Sequence, residues 1–277
     1  GFCTDGFGAA YAAWKKFGNN ATYIARTRTE SPIDPALFKD KDVYVVDYSF
    51  HLDEMLAYQN VARSFVVIDH HLSAEKDVTS LNTFVFNNSY SGAYLAWEYF
   101  HPNTTVPELI RYISDADIWD HSLPDWKEIE HFIYNNGESH FSFAHFEKLH
   151  ETLETEEGYS RAKSIGAMLI SGREAQVTMY TDLAELITFE GYEVYAVNAP
   201  REIRSELGHV LASKTNSFAL IFTYEKGFWK CSMRSVNDFD VSIIATKYGG
   251  GGHKNSAAFT LPTDFPIFSI TSKKSTE

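Results

Sequence analysis

The chain of 277 residues has 24 Lys and Arg against 37 Asp and Glu, a formal net charge of -13, and 44% of its residues are hydrophobic. This apolar content excludes a disordered chain, and the length predicts about two domains of ordinary size. The negative charge argues against sequence-independent binding of long duplexes, which needs many basic contacts to phosphate. A small phosphorylated ligand stays open where bound metal supplies positive charge.

The sequence contains no signal that places it in or across a membrane. No run approaches the roughly 20 apolar residues that cross a bilayer, and the first residues lack the basic and apolar regions of a signal peptide. The two cysteines, Cys3 and Cys231, are too few for a disulfide framework. We expect a cytoplasmic protein with no membrane partner. Because residue 1 is Gly and a motif begins almost at once, we also expect the natural chain to start further upstream.

The first half alternates strand-like and helix-like segments, the pattern of parallel βαβ units. We predict strands at 22–25, 43–46, 65–68 and 83–86 and helices at 9–17, 92–100 and 106–118. These segments form a predicted larger domain over residues 1–150 with a parallel sheet.

An acidic, polar stretch at 149–158 leads into a periodic apolar pattern at 159–186 that predicts one long helix. We interpret 151–187 as a helical connector, 188–265 as a smaller domain and 266–277 as a polar tail. The smaller domain has predicted strands at 192–197, 218–224, 228–233 and 256–261 and helices at 205–213 and 241–247. The fold class is α/β, and we expect a cleft between the two domains.

Polar side chains follow two neighbouring predicted strands of the larger domain. Asp47 follows the strand at 43–46, and Asp69, His70 and His71 follow the strand at 65–68. The carboxyl ends of parallel strands meet at one edge of a sheet. Carboxylate and imidazole together suit a divalent ion such as Mn²⁺ or Mg²⁺, although a single Asp taken alone is more often a helix cap.

Five segments in this order make the chain resemble the DHH phosphoesterases that carry a DHHA1 domain. These are 4–10 (TDGFGAA), 45–47 (VVD), 69–71 (DHH), 113–115 (ISD) and 249–253 (GGGGH). The resemblance covers nearly the whole chain. It implies hydrolysis of a phosphate ester or anhydride at a two-metal centre, usually manganese, with Mg²⁺ or another divalent ion as alternatives.

The resemblance also assigns site residues. It implies metal binding by Asp5, Asp47, His70 and Asp115, with Asp47 bridging both ions. Asp69 is expected to orient a neighbour through a hydrogen bond, and His71 to face the substrate phosphate as a hydrogen-bond or proton donor.

Cys3 departs from the family pattern, because many members have an acid at this position. A thiolate suits Zn²⁺ or Fe²⁺ better than Mn²⁺. Either the first metal site is weaker or different here, or Cys3 is an ordinary small residue outside it. We also interpret Asp117 as structural or as supporting a neighbouring ligand, since a spacing of two from Asp115 puts it off the same helical face; metal binding by Asp117 is the less favoured alternative.

The smaller domain contains a candidate anion site. The backbone N–H groups of Gly250, Gly251 and Gly252 can approach an anion with no Cβ in the way, and His253 adds a polar side chain. Arg234, at the end of a predicted hairpin strand, is the expected phosphate clamp. The alternatives are a flexible turn and a solvated Arg; Arg201 and Arg204 are further candidates.

These residues predict a phosphoesterase that hydrolyses phosphodiester or phosphomonoester bonds through water activated by two metal ions. The expected substrate is a short single-stranded nucleic acid or a phosphorylated nucleotide. Two alternatives remain at this point: an exopolyphosphatase-like hydrolase, and a nucleotide-binding module with impaired catalysis. Oligomeric state cannot be deduced.

Overall fold

A computed structural model describes residues 3–27, 30–135 and 141–264. The chain divides into two compact units, Gly1–Ile170 and Ser171–Glu277. The tail that we predicted at 266–277 lies outside the described residues. No helix in these described ranges is both long and apolar enough to cross a membrane.

The larger unit contains a parallel sheet of three described strands in the order β1-β2-β3. They are β1 (Asp42–Val46), β2 (Ser64–Asp69) and β3 (Phe84–Phe86). The β-branched side chains of β2 are buried on both faces, as expected of a central parallel strand. The prediction of a strand at 22–25 is wrong, because this segment pairs with no described strand and Ile24 is exposed.

Seven helices are described in the larger unit before its last long helix. They are α1 (Thr4–Phe17), α2 (Leu52–Val61), α3 (Glu75–Val78), α4 (Gly92–Phe100), α5 (Glu108–Asp117), α6 (Trp126–Tyr134) and α7 (Phe143–Leu153). α1 begins five residues earlier than the predicted helix, so Asp5 lies in its first turn. α5 begins after Pro107, which fixes the backbone angle at its start.

The acidic stretch at 149–158 is not a polar connector throughout. Its first part is the end of α7, where Phe146, Leu149 and Leu153 are buried in the core of the larger unit. The spacing of these residues gives the helix one apolar face while its charged residues point to solvent. The long helix itself is α8 (Glu156–Asp182). It ends before residue 186 because Ile187 and Phe189 alternate into a second core as part of a strand.

The smaller unit is a six-stranded mixed sheet in the order β4-β5-β6-β7-β9-β8. Its strands are β4 (Glu185–Phe189), β5 (Tyr192–Asn198), β6 (Phe218–Glu225), β7 (Phe228–Ser235), β8 (Gly251–His253) and β9 (Ser256–Pro262), and its helices are α9 (Arg204–Thr215) and α10 (Val241–Lys247). Alternation along β6 places Ala219 and Ile221 against α9, and Phe218, Leu220 and Phe222 against α10. The α/β fold class predicted for both halves is confirmed.

Two glycines of α8 provide a test of its packing. A Cβ at Gly166 would lie 1.9 Å from the carbonyl oxygen of Glu128 in α6, whereas a Cβ at Gly172 would meet nothing within 4 Å. We expect Gly166→Ala to lower the free energy of unfolding by roughly 1–3 kcal/mol through overpacking. Gly172→Ala should raise it by about 0.5–1 kcal/mol. Urea unfolding of both variants measures this, and equal effects would contradict the described packing of α8 on α6.

Candidate active site

The ends of β1 and β2 bring the first site residues together. Val46 pairs with Ile68 across the two parallel strands, and the N–H of Asp47 donates to the carbonyl of Ile68 at 2.9 Å. Asp47 therefore lies beside Asp69, the last residue of β2. Both carboxyl groups are buried, as the positions at successive strand ends predict.

Asp5 reaches the same site from the first turn of α1. Its two carboxylate oxygens accept hydrogen bonds from the N–H groups of Gly92 and Ala93, each at 2.9 Å. These are the first N–H groups of α4, which have no partner within the helix. The positive end of α4 thus holds a carboxylate that is only 3% exposed.

The imidazole of His70 stands among three carboxylates. Its Nε2 lies 3.4 Å from Asp47 Oδ1, 3.5 Å from Asp117 Oδ2 and 3.7 Å from Asp5 Oδ2. One ligand atom from each of Asp5, His70 and Asp117 fits within 4.8 Å of the others, and the same holds for Asp47, Asp69, His70 and His71. This donor set matches what divalent ions take in proteins.

Asp47 has an unusual backbone and an unsatisfied oxygen. Its φ of 49° lies in the left-handed region, which Asp tolerates better than most residues. Its Oδ1 is buried without a hydrogen-bond partner in the described part of the chain. A buried polar atom normally has a partner, so this oxygen is free to accept a cation.

The negative charges of the cluster repel one another. Burial raises the pKa of Asp5, and the negative charges of Asp47 and Asp117 raise it further. Burial also raises the pKa of Asp117. Burial lowers the pKa of His70, but its contacts with the three carboxylates outweigh this and raise it overall. The site thus binds a proton more strongly than isolated groups would, and a cation can take the place of that positive charge.

His71 is oriented by Asp69. Its Nδ1 donates to Asp69 Oδ1 at 2.7 Å, and the Ser49 hydroxyl donates to the other oxygen of the same carboxylate. Burial pushes the pKa of Asp69 upward, but these hydrogen bonds outweigh it and hold that pKa below its usual value. Asp69 is therefore an anion whose hydrogen bond fixes the ring of the partly exposed His71.

Of the two acids of α5, the structure places Asp117 rather than Asp115 among the possible metal ligands of the described residues. Asp117 contacts His70, whereas Asp115 is turned to Ser122, whose N–H donates to its Oδ1 at 2.9 Å. Asp115 belongs to neither group of possible ligands among the described residues. The two acids do lie on different helix faces, as their spacing predicts, but the face toward β2 carries Asp117.

Cys3 lies at the edge of the cluster. Its Sγ accepts from the N–H of Gly6 at 3.3 Å as the N-cap of α1, and lies 3.6 Å from Asp47 Oδ2. Burial raises the pKa of this thiol. A thiol that caps a helix and is held protonated is a poorer ligand than a carboxylate.

Three further features were not predicted from the sequence. A Cβ at Gly92 would lie 2.5 Å from Asp47 Cβ, so only glycine leaves room for that carboxylate. Burial and then the charges of Glu130, Asp117 and Asp5 raise the pKa of the Tyr134 phenol. Trp119, two residues after Asp117, is exposed. In the sequence, the small residues at the start of α4 are the one feature that could have pointed to the role of Gly92.

In the smaller unit, Arg234 lies under α9. Its Nη2 donates to Ser205 Oγ at 3.1 Å, and its Nη1 to the carbonyl of Met233 at 2.9 Å. A Cβ at Gly208 of α9 would lie 2.6 Å from Arg234 Cγ. Burial and the charge of Arg204 lower the pKa of Arg234. This guanidinium pairs with no carboxylate in the described residues.

The four glycines do not form one open loop. The N–H groups of Gly249 and Gly250 donate to the carbonyls of Thr246 and Ala245 and so close the end of α10. Gly250 therefore has no N–H to offer an anion in this structure. Gly251 and Gly252 belong to β8 with His253, which is exposed.

A cavity of about 470 Å³ opens beside these residues on the sheet of the smaller unit. Its basic side chains are Arg201, Arg204 and Lys230, and the hydroxyl of the buried Ser232 lies 3.4 Å from Arg204 Nη1. Burial and the neighbouring charge of Arg201 lower the pKa of Arg204. Glu225 also lines the cavity. Neither Arg201 nor Arg204 forms an ion pair with a carboxylate in the described residues, and such guanidinium groups favour an anionic ligand.

Comparison with known proteins assigns the smaller unit to a family. Residues 194–268 match the DHHA1 domain. Over 287 aligned residues the chain is 29% identical to the uncharacterized protein R106 of Acanthamoeba polyphaga mimivirus, with 94% of this chain and 66% of the viral protein covered. The chain thus spans about two thirds of the length of that relative.

Solved structures with a similar course of the chain are also found. The pGpG-specific phosphodiesterase PggH from Vibrio cholerae is 14% identical with a TM-score of 0.46, covering 97% of this chain and 94% of that one. RecJ from Thermus thermophilus, solved with Mn²⁺, is 15% identical with a TM-score of 0.42, covering 97% of this chain and 50% of that one.

The DHHA1 match accounts for the smaller unit. The Asp69-His70-His71 triplet at the end of β2, surrounded by Asp5 and Asp47, accounts for the larger one. Both observations agree with the resemblance of the chain to the DHH phosphoesterases that carry a DHHA1 domain.

Proposed function

We propose that this protein is a metal-dependent phosphoesterase acting on phosphodiester or phosphomonoester bonds of short oligonucleotides or phosphorylated nucleotides. One observation carries the proposal: Asp5, Asp47 and Asp117 converge on His70, and the buried Oδ1 of Asp47 has no hydrogen-bond partner among the described residues. Acids this close, with Asp5 and Asp47 buried, repel one another unless a cation joins them.

The residues fit two divalent ions. Asp5, His70, Asp117 and Asp47 would hold them, and the oxygen and imidazole donors suit Mn²⁺ or Mg²⁺ better than a soft metal. When bound, such ions supply positive charge that polarises a phosphate and makes a water molecule more acidic. Both Cys3 and Cys231 are free thiols, which supports a reducing compartment such as the cytoplasm as part of this proposal.

The neighbouring side chains bind and orient the substrate. The bond from Nδ1 to Asp69 leaves Nε2 as the nitrogen of His71 that can donate to a phosphate oxygen. In the smaller unit, Arg234, His253 and the cavity containing Arg201 and Arg204 provide positive or polar groups for a further phosphate. An acidic protein can in this way hold an anion at a few defined positions.

Loss of the central ligands should abolish hydrolysis. We expect Asp47→Asn and His70→Ala each to reduce turnover of a short oligonucleotide by more than about a hundredfold, because each removes a donor for the ions. Asp53→Asn, an exposed acid of α2, is the matched control. Circular dichroism and urea unfolding check the fold. Wild-type turnover in folded Asp47→Asn would refute the metal centre.

The two acids of α5 should differ in metal binding. We expect Asp117→Asn to weaken Mn²⁺ binding by about tenfold or more, and Asp115→Asn to leave it within about threefold, because Asp115 is held by Ser122. Calorimetric titration of Mn²⁺ into each folded variant measures this. The opposite order would return the ligand role to Asp115.

The smaller unit should affect substrate binding more than turnover. We expect Arg234→Ala and His253→Ala to raise KM by roughly tenfold, the effect of losing a charged hydrogen bond, with a smaller change in kcat. Lys226→Ala, in the exposed β6–β7 turn, is the control. A panel of dinucleotides, bis-phosphorylated nucleosides, cyclic dinucleotides and polyphosphate identifies the substrate class. If neither substitution changes KM for any hydrolysed substrate, these side chains do not bind it.

A further inference from the structure

Trp119 is the residue whose exposure and position give the most information about the substrate class. Its exposed fraction of 81% is the highest of the large hydrophobic residues in the described parts of the chain. Single exposed hydrophobic residues are common, so exposure by itself decides nothing. Its position and its support distinguish this tryptophan from the others.

The backbone of Trp119 lies close to one residue of the candidate metal centre. It follows Asp117 by two residues, so their Cα atoms are at most about 7 Å apart. The turn that carries it is fixed by two backbone bonds, from Trp119 N–H to the Ala116 carbonyl at 3.3 Å and from Asp120 N–H to the Asp115 carbonyl at 3.1 Å. These hydrogen bonds therefore fix the backbone of Trp119 at the end of α5.

Other rings support the indole on one side. His121 makes a T-shaped contact with Trp119 at 5.3 Å between centroids. The ring of His121 in turn stacks on Trp126 at 4.0 Å, with the two planes 12° apart. Trp126 begins α6. This row of rings orients Trp119 while most of its surface remains open to solvent.

We propose that Trp119 stacks on a nucleobase of the substrate whose phosphate is bound at the neighbouring acids and His70. The inference rests on the proposed phosphoesterase function and assigns the side chain that contacts the base of its substrate. Aromatic side chains bind bases through their faces with little sequence preference. Trp119 is thus a specificity-determining residue outside the metal ligands.

The charges around Trp119 favour a base over a longer phosphate chain. Asp117 and Asp120 flank it in the sequence, and neither forms an ion pair with Lys or Arg in the described residues. A polyphosphate extending past the metal centre would place a second anion beside these carboxylates. A neutral base does not incur that repulsion.

The experiment compares substrates that differ only in the base. Hydrolysis of 5′-phosphorylated diadenylate and of its abasic analogue is measured for wild type, Trp119→Ala and Trp119→Phe at saturating Mn²⁺. We expect Trp119→Ala to raise KM for diadenylate by about tenfold, with KM for the abasic analogue unchanged within about twofold. Trp119→Phe should restore most of the affinity. Tyr224→Ala, an aromatic of the smaller unit that is 57% exposed, is the control.

A binding measurement separates the base contact from catalysis. Calorimetric titration of adenosine monophosphate and of ribose 5-phosphate should show a loss in Trp119→Ala for the first ligand alone. If wild type hydrolyses diadenylate and Trp119→Ala leaves KM and binding unchanged, the stacking role is wrong while the phosphoesterase function stands. A changed oligomeric state with an unchanged KM would show instead that Trp119 binds a second protein. If wild type hydrolyses polyphosphate and no nucleotide, the base-containing substrate class is itself wrong.

Discussion

Three carboxylates, two of them buried, cannot all remain anionic in one small volume unless positive charge lies between them. Asp5, Asp47 and Asp117 are in this position, and the positive charge available from the chain itself is a proton on His70. Burial and the charges of Asp47 and Asp117 raise the pKa of Asp5, and attraction to the three carboxylates raises the pKa of His70 although burial opposes that shift. Packing alone gives no reason to bury charges that destabilise the folded protein when no cation is bound. Such a cluster therefore indicates a functional site.

The surrounding fold keeps the acids close in spite of their repulsion. The start of α4 supplies two N–H groups to Asp5, so that carboxylate is partly neutralised by a helix end. Asp47 is fixed by its left-handed backbone and its bond to Ile68. Gly92 completes the arrangement because any larger residue would occupy the space of Asp47. Backbone groups thus position the side chains, and the ligand positions do not depend on flexible contacts.

Much of this arrangement could be predicted from the sequence, because the relevant signals are local. Apolar runs that end in acids predict parallel strands with polar carboxyl ends, and this identified Asp47 and the triplet at 69–71. The choice between Asp115 and Asp117 could not be made in this way. Both lie at the end of one helix, and which face meets β2 depends on how α5 packs. The hydrogen bonds from α4 to Asp5 join residues that are nearly 90 positions apart in the sequence. Sequence periodicity gives no information about contacts at that separation.

The wrong predictions about the fold also arise from contacts between residues that are distant in sequence. The segment at 149–158 has the composition of a connector, yet Leu149 and Leu153 are buried because other helices provide an apolar surface for them. The glycine run suggested a free anion loop, yet the N–H groups of Gly249 and Gly250 close α10. In both segments the local composition was interpreted correctly as polar or flexible, and a partner distant in sequence determined the structure. Trp119 differs, because its indole contacts the ring of His121 and is largely exposed while its backbone is held in place. A large apolar surface that the fold positions but does not cover is where a ligand can still contribute binding energy.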